Sequence, residues 1–213
     1  MSKKKLNFIF LTSNKAGSGK DTVSYMLQKC FRKYSKTSLC YSISFASPLI
    51  KSYKDLIHSD DIYGEFNDTF YKNTKKDRIK FQKWSSAVKD VLGWDIFLKS
   101  TIKDIDNLLI NSQCVTIFED KIYIIITDLR LMQEYDYILK NYSIDKSYVL
   151  KIKSQRGEDV QDRESQYEKF TMKPYVYEQS YCYPVLNLNS IEELESEVEN
   201  IFLNVLMLGD GHE

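Results

Sequence analysis

The sequence predicts an α/β protein whose strands form a mainly parallel, doubly wound sheet. Short apolar segments typical of buried strands alternate along the chain with longer segments of helical periodicity. A small glycine-bearing loop that ends in a lysine follows the first apolar segment, and such sheets bind ligands in the loops at the carboxyl ends of their strands. Strands that are joined through helices by right-handed crossovers lie parallel to one another.

Five strands are predicted. In the first, residues 7–12, the side chains from 8 to 11 are all apolar, as expected of a strand covered by helices on both faces. The clearest strand is residues 121–127, with the sequence KIYIIIT. The remaining strands are predicted at residues 39–45, 148–152 and 185–188.

The helices between these strands follow from apolar stripes and from start signals. A helix is predicted over residues 20–34, and Ser47 followed by proline makes a good helix start, with the serine as N-cap. Residues 75–104 are predicted to be mainly helical with a break at Gly93, and residues 191–208 form a closing helix.

Composition and charge narrow the class of protein. The chain has 213 residues, which suits one α/β domain, and its 30 basic residues balance its 30 acidic residues. Balanced charge argues against a nucleic-acid polymer as partner, because binding to phosphate backbones needs clustered positive charge. The apolar run at residues 8–11 is too short for a signal peptide, no run could cross a membrane, and the four cysteines are scattered. We therefore expect a cytoplasmic protein with reduced thiols.

The loop NKAGSGKDT, residues 14–22, predicts a phosphate-binding site. Gly17 and Gly19 allow backbone N–H groups to converge on phosphate oxygens at a helix N-terminus, and Lys20 would bridge the terminal phosphates. Asn14 stands where the usual pattern has glycine, a mild departure because asparagine tolerates left-handed backbone. A small-residue turn that needs no ligand is the alternative. The predicted phosphate-binding residues are Asn14, Lys15, Ala16, Gly17, Ser18, Gly19, Lys20, Asp21 and Thr22.

The segment AGSGKDT resembles the loop of the P-loop nucleoside monophosphate kinases. It is most similar to the variant with aspartate after the lysine, found in phage-type deoxynucleoside monophosphate kinases and animal-type phosphomevalonate kinases. Further segments that resemble motifs of this family follow in the family's order. They are SFASPLIKSY (44–53), YKNTKKDRIKFQ (71–82), GWDIF (93–97), YIIITDLRLMQEYDYI (123–138), DRESQ (162–166) and NLNSIEEL (187–194).

The resemblance implies a fold, an activity and partners. The fold would be a three-layer α/β/α kinase domain over residues 1–213, with a five-stranded sheet, a substrate-binding helical insertion at about 47–110 and a mobile lid at about 153–170. The activity would be transfer of a phosphoryl group from ATP, with Mg²⁺, to a (deoxy)nucleoside monophosphate. The partners would be ATP and a small monophosphate acceptor, and the resemblance suggests a homodimer.

Candidate catalytic residues follow from the motifs and from the resemblance. Asp128 directly follows a buried strand, where it can hold Mg²⁺ or simply begin a turn. Asp21 replaces the usual serine or threonine with a charged oxygen ligand, although it can also merely complement the helix dipole. Arg130 can clamp a phosphate in a bidentate manner. Arg163, in the lid segment, stands in the family's histidine position.

Candidate substrate-binding residues lie in the central helical region. Arg78 and Gln82 are four residues apart and share a helix face, and the resemblance implies that they contact the nucleotide acceptor. Trp94 can stack on a base or belong to the core. Lys72 and Lys76 can steer the acceptor phosphate or form a solvated basic patch. Outside this region, the resemblance places Arg156 and Asn187 at the ATP site.

Two alternatives remain open from the sequence. Phosphomevalonate kinase is the nearest enzyme alternative, because its acceptor is also a monophosphate and residues 71–79 resemble that relative well. A nucleotide-binding module without transferase activity is the second, because Asn14, Ser47, Arg163 and Gln166 depart from the family pattern. Retention of Lys20 together with an Asp-x-Arg element argues for the enzyme.

Overall fold

The computed structural model describes residues 5–13, 15–57, 75–115, 121–154, 158–159, 180–187 and 190–207. The strands are β1 (Lys5–Thr12), β2 (Lys15–Ala16), β3 (Ser38–Ile43), β4 (Lys121–Ile126), β5 (Lys146–Ser154), β6 (Glu158–Asp159) and β7 (Ser180–Asn187). The helices are α1 (Lys20–Tyr34), α2 (Ser47–Ile57), α3 (Lys75–Leu92), α4 (Ile96–Val115), α5 (Met132–Asn141) and α6 (Ile191–Ile201), and a π-helical segment, Phe202–Met207, continues α6.

The chain forms two compact units. The first, here called the sheet unit, comprises Met1–Ser44 and Leu108–Glu213, and the second, the helical unit, comprises Phe45–Asn107. Within the described ranges, no helix combines the length and the apolar character that crossing a bilayer requires. That the whole chain acts as one kinase domain, with an insertion at about 47–110, stays a prediction.

The sheet unit is built on a five-stranded parallel sheet with the strand order β3-β4-β1-β5-β7. This confirms the α/β class and the mainly parallel sheet. Because all five strands run in the same direction, their carboxyl ends meet at one edge, and β1 lies in the middle of it. The loops that follow the strands are therefore brought together although they are distant in sequence.

Helices cover both faces of this sheet. Alternate residues of a strand point to opposite faces, so Ile9 and Leu11 of β1 join the cluster formed with α1 and α6, which includes Leu27 and Val198. On the other face, the ring of Phe10 lies 4.8 Å from that of Tyr135 in α5. The sheet unit is therefore a three-layer α/β/α structure, as the resemblance implied.

The helical unit has a small aromatic cluster between α2 and α3. The ring of Tyr53 lies 5.4 Å from that of Phe81 and 5.2 Å from that of Trp84. The predicted break at Gly93 is confirmed, since α3 ends at Leu92 and Gly93 adopts a positive φ of 90° that favours glycine. The next helix, α4, extends beyond the predicted end at residue 104 to Val115.

Several strand boundaries differ from the predicted ones. Strand β7 begins at Ser180 rather than 185, although Pro184 lies within it, because an edge strand tolerates the missing N–H donor. Strand β3 ends at Ile43 rather than 45. The short strands β2 and β6, which pair antiparallel, were not predicted, because two residues have no detectable periodicity. Mobility of the lid at about 153–170 stays a prediction, since residues 155–157 and 160–170 lie outside the described residues.

Candidate phosphate-binding site

The glycine-bearing loop connects the central strand β1 to the N-terminus of α1. Gly17 and Gly19 have φ angles of 72° and 94°, the left-handed conformation that glycine adopts without steric cost. The carbonyl of Gly19 accepts the N–H of Val23 at 2.9 Å, and Lys20 is the first residue of α1. The loop therefore stands at a helix N-terminus, where the helix dipole and the first backbone N–H groups of a helix favour an anion.

Ser18 lies buried inside this loop, with 1% of its surface exposed. Its carbonyl accepts a hydrogen bond from Nδ2 of Asn187 at 2.8 Å, while its hydroxyl has no hydrogen-bond partner among the described residues. A buried hydroxyl without a partner costs roughly 1–3 kcal/mol.

The loop also pairs with the chain that follows β5. Residues Lys15 and Ala16 of β2 stand opposite Asp159 and Glu158 of β6 in an antiparallel ladder. The predicted phosphate-binding segment is thereby joined through its backbone to the beginning of the predicted lid segment.

Asp128 lies at the same sheet edge, just after β4. Its Oδ2 accepts a hydrogen bond from the hydroxyl of Ser44, the residue after β3, at 2.8 Å. The residues on either side of Asp128 make backbone hydrogen bonds to the neighbouring strands. The N–H of Thr127 donates to the carbonyl of Ile43 at 3.0 Å, and the N–H of Leu129 donates to the carbonyl of Leu11 at 3.1 Å. The Asp128 segment is therefore held to the ends of both β3 and β1.

The carboxylate of Glu134 organises the segment after Asp128. Its Oε2 accepts the backbone N–H groups of Arg130 at 2.8 Å and of Leu131, the N-cap of α5, at 2.9 Å. Glu134 stands at the third position of the helix, where glutamate commonly bonds back to the N-cap. Burial raises the pKa of Glu134 to about 7, against the opposing effect of these two hydrogen bonds.

Two carboxylates of the sheet unit fit the chemistry of a magnesium site. Asp21 is exposed in the first turn of α1, and Asp128 is half-buried. Mg²⁺ prefers oxygen ligands and is commonly held by one or two carboxylates together with phosphates of the substrate. Within the described part of the chain, no group of three or more metal-ligating side chains is present.

The structure separates the predicted site residues into three groups. The sheet unit contains the loop with Lys20, Asp21 and Thr22, the Asp128–Arg130 segment, which is bonded to the end of β1, and Asn187, which is bonded to the loop at Ser18. Gln82 and Trp94 belong to the helical unit, where Gln82 is half-buried and Trp94 is 47% exposed. In the last group, Lys76 and Arg78 fall on α3, but their side chains are outside the described part. The other members, Asn14, Lys72, Arg156 and Arg163, lie outside the described residues altogether.

Ser44 and Glu134 are residues of the candidate site that the sequence analysis did not single out. Each carries a signal that could have identified it. Ser44 is a polar residue directly beyond a strand, at the edge where ligands bind. Glu134 stands three residues after the N-cap of α5, the spacing of a capping glutamate.

A buried strand, a glycine-and-lysine loop and a helix at the centre of a parallel sheet define a P-loop-type α/β fold. No protein-family model matches the chain, and a search of curated proteins also finds no match.

Several solved structures are similar at low levels. A gluconokinase from Sinorhizobium meliloti 1021 aligns over 99% of this chain and 100% of its own, with 11% identity and a TM-score of 0.40. A thymidylate kinase from Ehrlichia chaffeensis aligns over 95% of this chain and 100% of its own, with 14% identity and a TM-score of 0.38. A plasmid partition protein from Borrelia burgdorferi aligns over 95% of this chain and 99% of its own, with 15% identity and a TM-score of 0.31. These values establish neither a family nor an activity.

Proposed function

We propose that the protein is a Mg-ATP-dependent phosphotransferase that converts a nucleoside or deoxynucleoside monophosphate to its diphosphate. The observation that carries this proposal is the left-handed glycine loop that opens α1 at Lys20, at the same sheet edge as Asp128. Such a loop suits a polyphosphate, and a carboxylate beside it suits the metal ion that accompanies one.

Phosphoryl transfer between two polyanions depends mainly on positioning and on charge neutralisation. In the proposed mechanism, backbone N–H groups of residues 17–20 hold the phosphates of ATP and Lys20 neutralises charge on the β- and γ-phosphates. Arg130, exposed beyond Asp128, clamps the acceptor phosphate with its planar guanidinium. Lys20 and Arg130 thus oppose the charge repulsion between the two substrates.

The same proposal assigns Asp128 and Asp21 to Mg²⁺. Bound with ATP, the ion would neutralise charge on the phosphate oxygens. The hydrogen bond from Ser44 fixes one oxygen of Asp128, so the carboxylate has a defined orientation before ATP binds. An oriented ligand supports metal binding more effectively than a freely rotating one.

For the acceptor, we propose that Arg78 and Gln82 of α3 contact the nucleotide, with Gln82 reading a base edge and Lys72 and Lys76 steering the phosphate. Among the aromatic side chains, Phe81 and Trp84 pack against Tyr53. Trp94, 47% exposed, is therefore the better stacking candidate.

Arg156, Arg163 and Asn14 complete the proposed ATP-binding set. We further propose that the protein acts in the cytoplasm and forms a homodimer. No nucleic-acid polymer is among the proposed partners, because the chain carries no excess of positive charge.

The test is a coupled assay of ADP release from Mg-ATP against the ribo- and deoxynucleoside monophosphates and phosphomevalonate. Turnover on one or more nucleotides supports the proposal and identifies the base. Turnover on phosphomevalonate alone keeps the mechanism and replaces the acceptor. ATP binding without turnover on any acceptor identifies a nucleotide-binding module and contradicts the enzyme.

A charge-removing substitution tests the mechanism within the same assay. Lys20→Ala is expected to abolish turnover while the fold remains intact. The matched control is Lys29→Ala, which removes the same charge from the same helix at an exposed position paired with Glu195. Turnover by Lys20→Ala near the wild-type level would show that the loop does not act on ATP.

A further inference from the structure

The side chain of Asn187, at the carboxyl end of the outermost strand β7, contacts the phosphate loop. Its Nδ2 donates to the carbonyl of Ser18 at 2.8 Å, although the two residues are 169 positions apart in sequence. Asn187 ends β7 and stands opposite Ser154 at the end of β5, the neighbour of β1, so the parallel sheet delivers it to the loop. We propose that Asn187 is a positioning residue that orients the Ser18–Gly19 peptide for binding of ATP phosphates. This inference rests on the proposed function.

The geometry of the peptide bond explains how one side chain can do this. In a planar trans peptide, the carbonyl and the following N–H point in opposite directions. When Asn187 holds the carbonyl of Ser18, the N–H of Gly19 is turned to the opposite side of the loop. Backbone N–H groups at this position are the ones that a phosphate-binding loop presents to its anion. Asn187 therefore selects one of the two orientations of this peptide.

The loop needs such a restraint because its glycines lack one. Glycine adopts positive and negative φ with similar ease. The Ser18–Gly19 peptide ends at one such glycine, and Gly17 precedes it by one residue. A loop that samples both peptide orientations binds an anion more weakly, since part of the binding free energy is used to order it. The Asn187 amide removes that freedom before ATP arrives.

The side chain of Asn187 also lies beside Gly19, in the position where a Cβ atom would be. A Cβ atom built on Gly19 would lie 2.6 Å from Nδ2 of Asn187, closer than real Cβ atoms approach other atoms. The amide thus occupies the space in which a side chain at position 19 would stand. The φ of 94° favours glycine there, and a side chain at position 19 would also have to displace the amide of Asn187. Substitutions at the two positions are therefore expected to interact.

The first experiment measures the affinity for Mg-ATP by isothermal titration calorimetry. Asn187→Leu keeps the branch at Cγ and removes the donor, and it should weaken binding about 3- to 10-fold, the effect of losing one hydrogen bond. Asn187→Asp should weaken binding more than about 10-fold, because a carboxylate cannot donate and repels both the carbonyl and the phosphates. The matched control, Ser24→Ala, removes a hydrogen bond to Ser42 elsewhere in the sheet unit and should leave the affinity within about twofold.

A double-mutant cycle tests the coupling. Gly19→Ala should reduce ATP affinity more in the wild-type protein than in Asn187→Ala, because the added methyl group displaces Asn187 only where Asn187 is present. Equal effects in the two backgrounds would overturn the coupling. Amide hydrogen exchange of residues 16–23 without nucleotide gives a second readout, and it should be faster in Asn187→Leu than in Ser24→Ala.

The outcomes separate this inference from the proposed function. If the wild-type protein binds Mg-ATP, Lys20→Ala does not, and Asn187→Leu binds as tightly as the wild type, the inference is wrong and the function stands. If the wild-type protein binds no Mg-ATP, both the proposed function and the role of Asn187 in ATP binding are wrong. Unchanged hydrogen exchange of the loop in Asn187→Leu would overturn the inference regardless of nucleotide binding.

Discussion

The hydroxyl of Ser44 donates a hydrogen bond to the carboxylate of Asp128 over 2.8 Å, between residues 84 positions apart. The two residues lie just beyond neighbouring strands, since Ile43 of β3 stands opposite Ile126 of β4. The bond fixes one oxygen of a carboxylate at the edge of the sheet where the phosphate loop also lies. It is the kind of contact that gives a metal-binding carboxylate its direction.

Removal of this hydroxyl should weaken the response to magnesium. Ser44→Ala is expected to raise the Mg²⁺ concentration for half-maximal ADP release about 10-fold, the lower end for loss of a contact that orients a metal ligand. The measurement is a Mg²⁺ titration at saturating ATP. The control is Ser42→Ala, which removes a hydroxyl two residues earlier, within β3. That hydroxyl bonds to Ser24 instead, so this variant should respond as the wild type does. Equal Mg²⁺ requirements in the wild type and Ser44→Ala would contradict the role of Ser44.

Glu134 should make stability depend on pH in a defined direction. Burial raises its pKa in the folded protein to about 7, above the ordinary value of 4.5. Between these values the folded state keeps the proton that the unfolded state loses. The stabilising contribution is therefore complete below pH 4.5 and is lost as pH rises through 7.

We expect the free energy of unfolding of the wild type, relative to Glu134→Gln, to fall between pH 5 and pH 7 by at most about 1.4 kcal/mol per pH unit. Urea unfolding at several pH values measures it. Glu193→Gln, an exposed glutamate in the first turn of α6, serves as control and should not produce this difference. A difference between wild type and Glu134→Gln that stays constant with pH would show that Glu134 ionises normally.

Arg130 should matter for the acceptor rather than for ATP. Arg130→Lys retains the charge but loses the planar pair of donors, so the KM for the monophosphate should rise about 10-fold while the KM for ATP stays within about twofold. Steady-state kinetics with each substrate varied in turn measures both values. Arg32→Lys, an exposed arginine in the last turn of α1, is the matched control. If the KM for ATP rose as much as the KM for the monophosphate, Arg130 would not act specifically on the acceptor.

Phe31 should be a major contributor to stability of the sheet unit. Phe31 is 2% exposed, and the centroid of its ring lies 4.5 Å from that of Tyr123 and 4.8 Å from that of Phe202. Phe31→Ala should lower the free energy of unfolding by about 3–5 kcal/mol, because it leaves a cavity between α1, the sheet and the segment after α6. Tyr25→Ala, on the same helix but 64% exposed, should change it by less than about 1 kcal/mol in urea unfolding. A small loss in Phe31→Ala would mean that the core closes around the gap.

The sequence predicted the parts of the fold whose signals are local. The glycine-bearing loop is recognisable because glycine and lysine spacing is a property of adjacent residues, and the loop lies between β1 and α1 as predicted. That it binds phosphate stays a prediction. Strand β4 was predicted because six consecutive residues are largely apolar and β-prone. Boundaries were less accurate where a neighbour decides them, as for β7, which pairs with β5 from Ser180 onward.

By itself, the sequence determined that this chain is an α/β protein with a glycine-bearing loop after its first strand, because apolar runs and small-residue spacing act over a few residues. Only the tertiary structure decided which side chains meet. The hydrogen bonds of Ser44 with Asp128 and of Asn187 with Ser18 form because of the order in which the strands are arranged in the sheet. That order arises from packing of helices on both faces of the sheet, and no local pattern contains it.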